Sequence, residues 1–421
     1  MTGAQPTARV RMADAGDLFI SWRWENDGGA PGIGVVPEEQ VVAAVRRFAT
    51  ALPTTGEAGL ESALSTGELA TVAAEEELAG FLSATFLPHQ LAVRLYELHV
   101  AGVRPRIRIQ PSPRVAQLPW ELIAPDSGVR LVDIAEVSLL APPGIVHAPA
   151  RVGRSWADSR ELPVVAVLDP RVPGFRADSA LGSVLGRMTE DAPLAALVAA
   201  YAGRDRLAPK VSDPLAAFRR TDVDREWLGE ALRAGASRLL YIGHVTAAAP
   251  DSGQSESATM HLACTADTVG FAPAQRDHRP LSARDLLLGT YTLADQPRTG
   301  PQLWPIPSRV ALIACESGGD LRFGEALGLV AAMLTGGAEL VTAGRWALPT
   351  DLAFQRFGGA TPDRRPLQDA VCAIDAAHEC PDPVAALNEW QRSRLAAWRA
   401  TGAIEDSPLI WAAFATVDAR E

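Results

Sequence analysis

The chain has 421 residues, of which 48% are apolar and 21% charged, and its formal net charge is −11 at pH 7. That charge excludes a nucleic-acid groove as the main expectation, because phosphate binding needs clustered positive potential. No apolar run approaches the length that spans a bilayer, so neither nucleic acid nor membrane is an expected partner.

At this length one hydrophobic core stops growing, and two closely packed subdomains are expected. The first twenty residues carry scattered Arg, Asp and Gly in place of a basic start and an apolar stretch, so a cytoplasmic location is expected. Lys210 is the only lysine, and the richness in Ala, Gly, Pro and Arg suggests a GC-rich bacterial genome. The four cysteines, Cys264, Cys315, Cys372 and Cys380, do not resemble a disulfide framework, and a reducing cytosol would keep them as thiols.

In chain order, residues 18–22 read as a strand and the Gly/Pro-rich residues 28–37 as a loop. From 37 to 100 apolar residues recur at helical spacing. Val41, Val42, Val45 and Phe48 share one predicted helix, and Leu91, Val93, Leu95 and Leu98 another. The run Glu75, Glu76, Glu77 reads as a solvated helix face. The alternation at 106–109, ahead of a proline turn at 111–113, predicts antiparallel strand structure.

Four short apolar runs follow, at 164–168, 239–242, 310–314 and 340–343. The last three are entered from helices or proline-rich loops, and that alternation predicts a parallel sheet covered by helices. The fold class is therefore α/β. Two of these strands end suggestively. One, emerging from a helix that Asp224 could cap and Gly235 could close, delivers His244 at its C-terminal tip. The other delivers Cys315, then breaks into Glu316, Ser317, Gly318 and Gly319 before a helix predicted near 322–334.

In open parallel sheets ligands bind beyond the carboxyl ends of the strands, so neighbouring strands would bring a thiol and an imidazole into one crevice. The thiolate is the nucleophile and the imidazole can take its proton. A helix N-terminus just after the cysteine would favour the anion, and Glu316 would oppose it weakly. Gly318 and Gly319 are expected to make the sharp turn after the nucleophile. A cysteine in an apolar strand can equally be a small core residue, and a strand-end histidine a satisfied polar group.

Other clusters are weaker. In a strand His261 and Cys264 would point to opposite faces, which predicts structural roles. Cys372, His378 and Cys380 lack the paired spacing of a zinc site. The glycine loop after Cys315 has neither G-x-G-x-x-G nor G-K-[ST], so it offers no phosphate cradle.

The segments 118–122 (Leu-Pro-Trp-Glu-Leu), 241–244 (Tyr-Ile-Gly-His), 314–318 (Ala-Cys-Glu-Ser-Gly) and 408–414 (Pro-Leu-Ile-Trp-Ala-Ala-Phe) occur in an order that resembles the CHAT domain family, bacterial relatives of caspases and separases. Residues 281–286 and 337–351 resemble that pattern too, and the resemblance covers roughly residues 75 to 421. It implies a caspase-like fold. It also implies a cysteine endopeptidase with His244 as general base and acid and Cys315 as nucleophile, forming a thioester without metal or organic cofactor. The oxyanion would be held by the backbone N–H groups of Val245 and Cys315. Arg345, Trp346 and Asp351 would stand where related proteases line the pocket for the residue before the cut.

The family usually has glycine where this chain has Val245, a β-branched residue that resists positive φ, so a catalytically silent interaction module is the alternative. The expected organisation is an N-terminal subdomain of helices and antiparallel strands at 1–160, carrying the 118–122 motif, and a caspase-like catalytic domain at 161–421. The expected partners are a protein substrate and a separate activating or sensor protein, in a bacterial signalling or defence setting.

Overall fold

The computed structural model describes residues 5–26, 29–54, 56–126, 128–249, 252–323 and 327–420, with backbone alone at 320 and 321. It is a mixed α/β protein of two compact units. The first comprises residues 1–140, 346–367 and 380–415, and the second 141–345, 368–379 and 416–421. The expected single cut between 160 and 161 is thus replaced by interleaved segments. Chain order alone does not show that a late segment packs with an early one.

In the first unit, strands β1 (Thr7–Ala15), β2 (Asp17–Glu25) and β3 (Gly32–Val36) form an antiparallel run. The stretch 28–37, expected to be a loop, therefore holds a strand, while Gly28 lies outside the described residues. Period-two alternation drives this part. Val10, Leu18, Ile20 and Trp22 are buried while their neighbours face out. Strand β4 (Arg106–Gln110) pairs parallel with both β1 and β5 (Glu136–Leu140), correcting the antiparallel expectation for that segment. Alternation reports one buried face; it does not report strand direction.

The helices of this unit follow their apolar spacing. Glu38–Ala51 buries Val41 and Phe48 and leaves Val42 53% exposed, and His89–Val100 buries Leu91, Leu95 and Leu98 while Val93 is outside. The acidic run is not uniformly solvated. Glu75 is fully buried, with its Oε1 accepting from Arg130 Nε at 3.0 Å. Burial pushes the Glu75 carboxyl up, opposed by the Arg130 charge.

In the second unit, β6 (Val164–Leu168), β7 (Leu207–Ala208), β8 (Arg238–Ile242), β12 (Arg309–Ile313) and β13 (Leu340–Gly344) form a parallel sheet in the order β13-β12-β8-β6-β7. Every residue of β6, β8, β12 and β13 is buried, as a sheet covered by helices on both faces requires. Strands β9 (Val245–Thr246), β10 (Thr259–Met260) and β11 (Leu281–Ser282) make a small antiparallel sheet directly after β8. Strand β14 (Phe414–Asp418) carries the chain from the first unit to the second at residue 416.

The helix entering β8, Arg225–Arg233, is capped as its sequence predicts. Asp224 Oδ1 accepts from Trp227 N at 2.8 Å, and Gly235 follows at φ 102°. At the opposite end of the sheet from the candidate site, the first residue of β8 is a buried arginine. Arg238 pairs with Asp375 at 2.9 Å and Glu379 at 2.7 Å, and Asp375 also accepts from the Tyr201 hydroxyl at 2.6 Å.

Candidate active site

Strands β8 and β12 are parallel neighbours whose ladder runs to Ile242 opposite Ile313. Gly243 N still donates to Ile313 O at 3.4 Å. His244 and Cys315 therefore stand equally far beyond the same rung, at the carboxyl ends of adjacent strands. His244 and Cys315 are both half-buried.

The imidazole is oriented by main chain. His244 Nε2 lies 3.1 Å from Gly182 O. A carbonyl oxygen only accepts, so Nε2 carries the hydrogen and Nδ1 keeps its lone pair in the neutral ring. Burial pushes the His244 pKa below its ordinary value, against the Gly182 hydrogen bond and the Asp169 charge, so the ring is neutral at pH 7.

The Gly182 carbonyl is itself held. Asp169, the residue after β6, is 1% exposed and adopts φ 50°, with its N–H donating to Ile242 O at 2.6 Å. Its carboxylate accepts from Ser183 Oγ at 2.5 Å, Val184 N at 3.2 Å and Arg219 Nη1 at 3.3 Å. Arg219 Nη1 also donates to Gly182 O at 3.0 Å. Three successive strand ends thus supply Asp169, His244 and Cys315, and the first fixes the loop that fixes the second.

The peptide between His244 and Val245 is pinned from one side. His244 O accepts from His261 N at 3.1 Å and from the Tyr241 hydroxyl at 2.6 Å. In a trans peptide the N–H lies opposite the carbonyl, so Val245 N–H points away from β10, and β9 is the edge of its sheet. Val245 is extended and pairs with Met260, so this backbone needs no glycine at 245.

Behind β9 a chain of polar groups runs from exposed Thr246 inward to buried His261 and His278. His278 Nδ1 lies 2.8 Å from Cys264 O, His278 Nε2 3.1 Å from His261 Nδ1, and His261 Nε2 2.9 Å from Thr246 Oγ1. The Cys264 carbonyl can only accept, which sets every tautomer. His278 donates to Cys264 O, His261 donates from Nδ1 to His278, and the Thr246 hydroxyl donates to His261. Burial, reinforced by the neighbouring His278, pushes His261 down to about 3. His261 and Cys264 thus connect through His278 and a main-chain carbonyl, in keeping with structural roles.

Beyond Cys315 the chain departs from expectation in two respects. The sharp turn is made by Glu316 at φ 49°, not by Gly318 or Gly319. Gly318 approaches β13 closely, and a Cβ there would press on Ala343 Cβ and Gly344 O at 3.3 Å. Ser317 Oγ locks the turn, donating to Leu312 O at 2.7 Å and accepting from Gly344 N at 2.8 Å. The helix expected near 322–334 begins only at Leu329, after one 3-10 turn at Gly319–Arg322, so among the described residues no α-helix N-terminus directly follows the thiol. Glu316 is paired with Arg322 at 3.0 Å, which offsets its charge beside Cys315.

The three residues expected to select the substrate are all buried. Arg345 belongs to the second unit, Trp346 and Asp351 to the first. Trp346 packs edge-on against Phe48 and donates from Nε1 to Leu409 O at 3.2 Å. Asp351 Oδ1 accepts from Leu367 N at 2.8 Å. His378 Nε2 lies 2.9 Å from Thr342 Oγ1, and among the described residues no three His, Cys, Asp or Glu side chains form a metal-binding group. No helix among the described residues is long and apolar enough to cross a membrane.

No protein-family model and no curated protein matches the sequence. Among solved structures the chain is similar to separase from Saccharomyces cerevisiae in its complex with securin, at 9% identity and a TM-score of 0.43. The match covers 98% of this chain and 30% of that one. A likeness of this degree establishes no activity.

Asp169 was legible by the rule that found the other two, since it also ends an apolar strand, Val164–Leu168. Gly182 and Arg219 carry no sequence signal. A glycine carbonyl and a loop arginine are brought to the imidazole only through the fold.

Proposed function

We propose that the protein is a cytoplasmic, caspase-like cysteine endopeptidase in which His244 and Cys315 form the catalytic pair. The observation that carries this reading is the equal placement of the two residues beyond the Ile242 and Ile313 rung of adjacent parallel strands. In this mechanism His244 Nδ1 takes the proton from Cys315 Sγ, and the thiolate attacks the scissile carbonyl carbon. The resulting oxyanion accepts from the N–H groups of Val245 and Cys315, each such donor contributing about 3 kcal/mol to the transition state. Collapse breaks the C–N bond, and the imidazolium gives its proton to the leaving amine. Water, deprotonated by His244, then hydrolyses the thioester and restores the thiol.

Asp169 acts as a positioning residue. Its carboxylate holds the 183–185 turn, so that Gly182 O keeps the imidazole in the tautomer a base needs. No metal or organic cofactor enters the scheme. The substrate is a protein, and a separate bacterial sensor protein triggers the enzyme in signalling or defence.

The test is to incubate the wild type and Cys315→Ala with a bacterial lysate, with and without products of neighbouring genes, and to map new termini by mass spectrometry. New termini with wild type alone support the enzyme. Identical termini from both proteins under every condition support a silent interaction module instead.

A further inference from the structure

The outer face of the antiparallel run in the first unit is unusual for a monomer's surface. Strand β3 is the edge of the order β3-β2-β1-β4-β5, and no strand among the described residues pairs with its other side. Natural edges are blunted by charge, proline or a bulge, because alternate N–H and C=O groups stay unpaired. Residues 32–36 carry none of these, and Pro31 and Pro37 merely bracket the strand.

Its outward side chains are aliphatic and open, Ile33 being 75% and Val35 52% exposed. Phe19, opposite Val35 on β2, is 40% exposed and extends the apolar row. The rest of the face carries Arg9, Arg11 and Arg23 against Asp17 and Glu25, a small positive excess in a chain of charge −11. Arg9 and Arg23 face each other across β1 and β2 and share Glu25, at 2.8 and 3.5 Å, while exposed Arg11 has no carboxylate partner among the described residues. A groove of about 410 Å³ lies among Arg9, Arg11, Arg23, Trp22, Pro31 and Ile33. A second cavity, of about 720 Å³, is lined by outward-facing Val35 together with inward-facing Gly34 and Val36, and so reaches the strand's edge.

The geometry points to strand addition at β3 by an extended segment of a partner protein in which acidic and aliphatic residues alternate. Main-chain hydrogen bonds would complete the edge and aliphatic side chains would enter the cavity beside Gly34, while the alternate, outward carboxylates would lie beside Ile33 and Val35 and be drawn across the face by the arginines of β2 and β1. Strand addition here involves neither His244 nor Cys315, so it stands apart from the peptidase reading.

The test uses the full chain and a fluorescein-labelled peptide of four Glu-Val repeats, read by fluorescence polarisation. Binding is expected with Kd below about 100 μM, falling at least about tenfold in Arg11→Glu/Arg23→Glu. The same peptide N-methylated at alternate residues, which blocks one edge without touching the protein, should bind at least about tenfold more weakly. Equal binding of the methylated peptide, of a Lys-Val peptide, or to the charge-reversed variant would overturn the proposal. So would absence of binding at about 1 mM, or self-association of the wild type abolished by Val35→Lys, which would make β3 a contact between copies.

Discussion

The hydroxyl of Tyr241 lies 2.6 Å from the carbonyl oxygen of His244, three residues further along the same chain. Burial pushes the phenol above its ordinary value, so it remains a donor at every working pH. The contact fixes the plane of the 244–245 peptide, and with it the direction of the Val245 N–H. Tyr241→Phe should lower kcat by about tenfold while leaving KM within about twofold, as looser orientation of one proposed oxyanion donor predicts. Steady-state kinetics on a cleaved peptide would check this, and a change confined to KM would contradict it.

Burial depresses the His244 pKa, so in the proposed mechanism the neutral ring persists below pH 6.5 and the acid limb of kcat/KM should fall below that value. The Asp169 charge opposes the depression. Asp169→Asn should therefore move the limb to still lower pH and, by slackening the 182–185 turn, cost about tenfold in rate. A pH–rate profile of the two proteins reads both effects.

The buried His261 supplies a stability signature independent of catalysis. Its folded pKa of about 3 lies below the unfolded value near 6.5, so between these limits only the unfolded chain binds the proton. Its contribution is complete above pH 6.5 and is lost as the pH falls toward 3. Between pH 7 and 5 that loss is about 2 kcal/mol. In urea titrations at the two pH values, His261→Gln should lose less stability on acidification than the wild type.

Arg238 sits among Asp375, Glu379 and Tyr201 at the start of β8. Arg238→Ala leaves buried carboxylate uncompensated and should destabilise the fold by about 3–5 kcal/mol, measurable by urea unfolding. The ordered tips of β8 and β12 should then be lost with the fold, and not selectively.

The four buried strands of the second unit, the Asp224 cap and the two strand ends were readable because apolar runs, capping chemistry and the carboxyl-end rule act locally. Strand β3 was hidden because its two glycines look like loop punctuation. Gly32 is there because a Cβ would collide with the Trp22 ring, and Gly34 because one would press on Pro88. Buried Glu75 was hidden because its partner Arg130 is distant in sequence. The Asp169, Gly182 and Arg219 clamp depends on a loop path that no residue pattern encodes, and of the residues resembling a specificity pocket Trp346 packs on Phe48 while Asp351 accepts a main-chain bond.

The central claim is that the His244 ring acts on the Cys315 thiol, and alkylation kinetics test it most directly. Iodoacetamide labelling at pH 7, quantified by peptide mass spectrometry for Cys264, Cys315, Cys372 and Cys380, should show Cys315 reacting fastest in the wild type. In His244→Ala its rate should fall at least about tenfold while the others are unchanged. A Cys315 rate indifferent to His244 would contradict the catalytic pair.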